Sequence, residues 1–279
     1  MNRLRQRFRA AFKRRLAKSL LPMVTLPARL ALRRRAPVSI LVDNTILKDG
    51  ITHETGWIST GPKLWGGKIE VPTGYMARIP VHSPQNAGRV YREVRYLPGI
   101  AHLTRTGHVT LRTSAELMAE RFRQPHGRFA GYGWADFNVF QGISMESVDG
   151  VHIDLNSSTE KQRRRIDSCL DPLFRAIVER LGPKSSQDAY HIFTAEKHGL
   201  FGFLHMDFRL ANAIAQHANK PPFNSLKTRI LLPSEFAKTI RLLPVDTNVL
   251  PLADDDQFFS TRPDLHWDQQ RRQRPRKSA

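Results

Sequence analysis

Cysteine occurs once in the 279 residues, at Cys169, which excludes an intramolecular disulfide framework and any four-cysteine zinc or iron–sulfur site. Nowhere do apolar residues run uninterrupted for the roughly 18 positions that a membrane-spanning helix requires. The patterns GxxxxGKS/T, GxSxG and HExxH and a paired CxxC are all missing, which removes the usual phosphate-loop, serine-hydrolase and zinc-site readings. The 11 histidines are scattered, and His53-Glu54 lacks a second histidine at ligand spacing. Wholesale disorder is also excluded, because 40% of the residues are hydrophobic and 25% charged, close to the globular average.

Acidic residues are missing from both ends. Residues 1–36 hold twelve Lys and Arg and no acid, and residues 271–279 hold five more, again with no acid. Those seventeen cations account for all but +2 of the formal charge of +19, so the body is nearly neutral between two polycations. In the leader, Leu4, Phe8, Phe12, Leu16 and Leu20 recur every four residues among Arg and Lys, one apolar stripe on a basic helix expected to end before Pro22. Four readings stay open for it: a contact with an anionic membrane surface, a grip on RNA phosphates, a docking arm for a partner, or a transit segment. A flexible solubilising arm is the plainer alternative. The tail has no apolar partners and is expected to be disordered.

Between the ends, short apolar runs alternate with helical periodicity. Val38–Val42, His108–Arg112, Gly202–Met206 and Thr228–Leu232 read as strands, and residues 57–82, with Gly61, Gly66, Gly67 and Gly74, as one or two hairpins. Helices are expected over 87–106 with a break near Pro98, after Thr113 or Ser114, after the capping-box spacing Ser157 to Glu160, over Asp188–His198, over Leu210–His217 and after Pro233. Cys169 falls on an apolar helical stripe and reads as core. The alternation predicts an α/β protein with a mostly parallel central sheet. Domain boundaries follow composition: a basic leader 1–36, a domain over 37–245 with insertions near 48–107 and 124–156, and a polar basic tail 246–279. The aromatics of 124–156 either fill a satellite core or, beside Arg123 and Arg128, stack on bases. The basic run of Lys161, Arg163, Arg164 and Arg165 is either a solvated helix face or a phosphate contact.

Four acids share a topological position. Asp43 directly follows the first strand, Glu116 lies just past the second at a helix start, Asp188 opens another helix, and Asp207 follows the strand at 202–206. Sites on open parallel sheets form outside the carboxyl ends of the strands, so these four are expected to meet. Clustered carboxylates need a cation, and hard oxygen donors suit Mg²⁺ or Mn²⁺. Taken singly, each acid is equally at home as a helix cap.

The stretch Ser186–Gly199 followed by Phe203–Leu210 resembles the C-terminal half of a PIN domain: an Asp-Ala opening a helix that ends in Gly, then a strand delivering a final Asp. Leu41–Leu47 is similar to that family's opening strand with its first Asp, Thr113–Leu117 to its second acidic position, and Ile230–Phe236 to its closing strand and helix. His205 stands where most members carry a small hydroxyl residue. The resemblance implies a three-layer α/β/α fold and a metal-dependent nuclease, most often a ribonuclease, with Asp43, Glu116, Asp188 and Asp207 holding one or two Mg²⁺ or Mn²⁺ ions for in-line attack by water. Glu120, one turn beyond Glu116, is a substitute for it. Asn44, Thr45 and His205 would support the site, with Arg163, Arg164 and Arg165 on the nucleic acid. It further implies RNA as partner, an antitoxin protein if the chain belongs to the toxin branch, pairing into a homodimer, and a cytoplasmic location. The competing reading is a PIN-like module that binds RNA or a partner without cutting, held at a membrane surface by its leader.

Overall fold

The computed structural model describes residues 19–33, 37–82, 88–133, 136–150 and 158–247. The leader stripe up to Leu16, Trp134 and the tail beyond residue 247 lie outside the described residues. Helix α1 (residues 19–32) runs through Pro22 and Pro27, past the point where the leader helix was expected to stop. Its inner face is buried in the core through Ala28 and Leu32. That burial outweighs the backbone donors the prolines remove.

Strand β1 (Val38–Val42) leads into α2 (Asn44–Asp49) and then a long hairpin of β2 (Ile51–Trp65) and β3 (Ile69–Pro80). The hairpin is single, turning at Gly66 and Gly67, both at positive φ that suits residues without a Cβ. Helices α3 (Arg89–Val94) and α4 (Leu97–Arg105) follow, with Pro98 in the first turn of α4 where its missing N–H costs nothing. Then come β4 (Val109–Thr113), α5 (Ala115–Phe122), the single-turn α6 (Gly127–Ala130), and two short strands, β5 (Phe137–Asn138) and β6 (Glu146–Ser147). Helix α7 (Thr159–Asp167) is capped by Ser158, one residue later than the capping-box spacing implied, because the Ser158 hydroxyl takes the Lys161 N–H. Helices α8 (Pro172–Leu181) and α9 (Ser186–Lys197), β7 (Gly202–Leu204), α10 (Phe208–His217), β8 (Arg229–Leu231) and α11 (Pro233–Ile240) complete the chain.

The central sheet has five strands in the order β6-β4-β1-β7-β8, and every pairing is parallel. It is flanked by helices on both faces, consistent with a three-layer α/β/α fold. Alternation along β1 divides the core. Val38, Ile40 and Val42 join α1, α2, α4 and α11 on one side, and Leu41 joins α5, α7, α8 and α9 on the other. Glu93 of α3 takes both the backbone N–H (2.7 Å) and the hydroxyl (2.8 Å) of Ser234, fixing the start of α11 with negative charge.

The hairpin belongs to a second, antiparallel sheet, β3-β2-β5. Asn138 in β5 ties that layer to the body. Its amide donates to the carbonyls of Leu47 (3.0 Å) and Phe129 (2.5 Å), and its oxygen accepts the Phe140 N–H (2.8 Å). Phe140 is buried in the main core and Phe129 and Phe137 pack against it, as the plainer reading of 124–156 had it, whereas Tyr132 is exposed. Among the described residues no helix is long and apolar enough to cross a membrane.

The β7–β8 contact leaves no room for a side chain at Gly202, where an added Cβ would sit 2.9 Å from the Arg229 carbonyl oxygen. Gly202→Ala is expected to lower the unfolding free energy by about 1–3 kcal/mol, the usual cost of overpacking, read as a fall in the urea midpoint. An unchanged midpoint would show that β8 moves aside freely.

Candidate functional site

Three of the four acids are where strand-end topology puts them. Asp43 follows β1 and caps α2, with its Oδ2 accepting the Thr45 N–H at 3.2 Å and also the Thr45 hydroxyl. Asp207 follows β7 and caps α10, its Oδ1 accepting the N–H groups of Arg209 (2.7 Å) and Leu210 (3.2 Å). Asp188 lies in the first turn of α9. All three line one open cavity of about 360 Å³. Thr45 joins two strand ends: its hydroxyl is bound to Asp43 and accepts the Met206 N–H at 3.0 Å, so the residues after β1 and after β7 keep one spacing.

Glu116 is not in the cavity. Helix α7 closes over it, Arg165 pairs with its Oε1, and the Gln162 amide donates to its carbonyl at 3.2 Å, leaving the residue 3% exposed. The fourth carboxylate in the cavity is Glu120, one turn further along α5. Asn44, also in the lining, donates to Glu120 Oε2 at 3.3 Å and to the Leu117 carbonyl at 2.8 Å, and the His191 ring meets Glu120 Oε1 at 2.8 Å. The preference for Glu116 fails because the residue that neutralises it comes from α7, about fifty positions away, which spacing along α5 does not reveal.

His191 is one turn from Asp188 on α9 and is buried. Burial opposes its charging, but Glu120, Asp43 and Asp188 together outweigh burial and raise its pKa to about 9. The imidazolium therefore sits among the carboxylates at neutral pH. Asp188 moves the other way. Burial and the repulsion of Asp43, Asp207 and Glu120 exceed the pull of His191, lifting its pKa to about 6. Burial also raises Asp43 against the Thr45 hydroxyl bond, while the bonds and charge of His191 overcome burial at Glu120 and lower it.

The remaining expectations divide. Asn44 and Thr45 line the cavity and hydrogen-bond two of its acids, Glu120 and Asp43. His205 lines no part of the cavity; it is buried and stacked on Phe203 at 5.7 Å, and burial depresses its pKa to about 4. Arg163 and Arg164 are exposed on α7 away from the cavity, and Arg165 is engaged by Glu116. The cations that do line the cavity are Lys48, Arg123 and Arg128. Of the residues not foreseen, His191 had a readable signal: it stands three positions after Asp188 and so shares its helix face.

Among the described residues, no group of three or more His, Cys, Asp or Glu side chains stands close enough together to hold a metal ion as it is. The donor chemistry still fits a hard divalent cation. Among the described residues, both Asp188 oxygens, Asp43 Oδ1 and Asp207 Oδ2 have no hydrogen-bond partner, and all lie in the one cavity lined by the four acids. No family model, no curated protein and no solved structure matches the chain.

The raised pKa of His191 has a consequence for stability. Its contribution is fully present below pH 6.5, where the unfolded imidazole is also protonated, and is lost as pH rises toward 9. The urea midpoint of metal-free protein should fall between pH 6.5 and 9, by the equivalent of roughly 2–3 kcal/mol. Glu120→Gln should flatten that fall; an equal fall in the variant would mean that Glu120 does not hold the charge on His191.

Proposed function

We propose that the acidic cavity is the centre of a PIN-like, metal-dependent nuclease acting on RNA. The observation that carries this reading is the convergence of Asp43, Glu120, Asp188 and Asp207 on one cavity at the carboxyl ends of adjacent parallel strands, with Asp188 pushed up to about 6 by its neighbours. Carboxylates so placed are costly to the protein unless positive charge reaches them.

Asp43, Asp188 and Asp207 are the residues that would hold the ion, with Glu120 beside them. A bound Mg²⁺ or Mn²⁺ would supply the charge that polarises a phosphodiester and lowers the pKa of an attacking water. The protein supplies everything that must be in position beforehand. Thr45 fixes the rotamer of Asp43, and Asn44 and the His191 imidazolium fix that of Glu120. Capping leaves Asp207 with one committed and one uncommitted oxygen. Lys48, Arg123 and Arg128 give the cavity a cationic wall against which a phosphate would be held over the acidic one. No side chain is required as a nucleophile.

The second reading, a module that binds RNA without cutting it, is favoured by one observation: no three of the acids form a ready chelating set. Cleavage of mixed-sequence single-stranded RNA, with Mg²⁺, Mn²⁺ or EDTA, separates the two. Asp188→Asn and Glu120→Gln are expected to lose activity by about 100-fold or more, while Glu116→Gln, assayed below its unfolding temperature, keeps it. RNA binding without cleavage in any metal would favour the module. Loss of cleavage in Glu116→Gln with retention in Glu120→Gln would reverse the assignment of the fourth acid.

A further inference from the structure

A larger cavity, about 910 Å³, adjoins the acidic one, and Gln124 and Phe129 line both. Its volume lies within the ~300–1,000 Å³ range of small-molecule sites. Its floor is apolar, with Leu47, Phe140, Ile143 and Met145. Its rim is polar, with Arg121, His126, Gln141 and Ser144, and Phe122 stands at the edge 55% exposed. A large aromatic left this open at the end of α5 gains little from folding. The Gln141 side-chain amide is exposed and has no hydrogen-bond partner among the described residues, whereas Asn138, in the same lining, has its side-chain amide fully committed to holding the wall together.

We infer that this cavity seats a nucleobase of single-stranded RNA adjacent to the phosphate held at the acidic centre, with Phe122 and Phe129 as stacking faces and Gln141 at the base edge. The inference rests on the nuclease reading for the identity of the neighbouring site. Three features select a base over a generic apolar ligand. The cavity adjoins the acidic one, with Gln124 and Phe129 in both linings, so one strand would be able to lie across both. Two cations line the acidic cavity beside the shared Gln124 and Phe129: Arg128, whose Nη1 donates to Gln124 Oε1 at 2.7 Å, and Arg123, whose buried Nη1 has no hydrogen-bond partner among the described residues. The lining combines aromatic faces, Arg121 and the exposed side-chain amide of Gln141, the set that holds a planar heterocycle by stacking and reads its edge by hydrogen bonds. Asn138 then acts as a positioning residue, since it bonds Leu47 and Phe129 on opposite parts of the wall.

The test uses the full chain in EDTA, which keeps binding separate from cleavage. Single-stranded RNA octamers carry a terminal fluorophore for anisotropy and 2-aminopurine at successive positions to report stacking. Wild type should quench 2-aminopurine strongly at one position. Phe122→Ala should weaken binding about tenfold and abolish that quenching, and Phe122→Tyr should restore both. Because Phe122 is more than half exposed, its truncation should leave the far-ultraviolet circular dichroism unchanged. Gln141→Ala should alter preference among bases at the quenched position with little change in mean affinity. Wild-type affinity and quenching in Phe122→Ala would overturn the inference even if cleavage depends on Asp188 as proposed. Position-specific quenching lost in Phe122→Ala, without cleavage in any metal, would keep the base site and remove the nuclease reading. No binding of RNA by the wild-type chain would overturn both.

Discussion

Repulsion among four carboxylates is the constraint around which the site is organised, and His191 is what makes it tolerable. A buried imidazole ordinarily loses its proton. Here three acids reverse that tendency, and in return the cation lowers the cost of charge on Glu120 and, against the burial that still raises it, on Asp43. The compensation is incomplete, since Asp188 is still raised to about 6. A cavity balanced this way retains attraction for further positive charge. It also explains why the carboxylates are separately anchored: Asp43 by Thr45, Glu120 by Asn44 and His191, and Asp207 by the start of α10. An acid anchored through one oxygen cannot swing away from its neighbours to relieve the repulsion.

The fold supplies the anchoring at little extra cost. In a parallel sheet every strand points its carboxyl end the same way, so the helices that follow β1, β4 and β7 all begin on one edge. Helix starts need acceptors, and Asp43 and Asp207 provide them while facing the cavity. The cap and the cavity acid are therefore the same residue, and capping does not take the carboxylate away from the cavity at these two positions. The bridge from Thr45 to Met206 then sets the spacing of the two strand ends.

The sheet, its direction and the three aspartates were legible because each depends on local pattern: short apolar runs, caps and strand exits. Strand lengths were overestimated, β7 ending at Leu204 and β8 at Leu231, since apolar content continues past the last ladder bond. The edge strand β6 carried no periodic signal; it is two residues long and is held by pairing with β4 and by the ion pair of Arg112 with Glu146. Glu116 and Glu120 could not be told apart locally, because both lie on one face of α5. The α7 residues Gln162 and Arg165 decided between them. That contact is long-range, and helical periodicity contains no information about it.

The same long-range logic bears on the basic residues. Clustering in sequence drew attention to Arg163, Arg164 and Arg165, yet a run of consecutive residues on a helix spreads around its circumference and cannot face one ligand. The cations at the cavity come instead from three separate places: Lys48 on α2, Arg123 at the end of α5, and Arg128 on α6. Arg128 is carried by α6, which Asn138, a residue of the expansion that interrupts the α/β pattern, bonds to α2. The segment that looks most like an addition to the fold thus provides one cation of the acidic cavity, the ring of Phe129 shared by both cavities, and much of the wall of the larger one. On the proposed reading, substrate discrimination would reside in the inserted segment and the chemistry in the carboxylates at the strand ends.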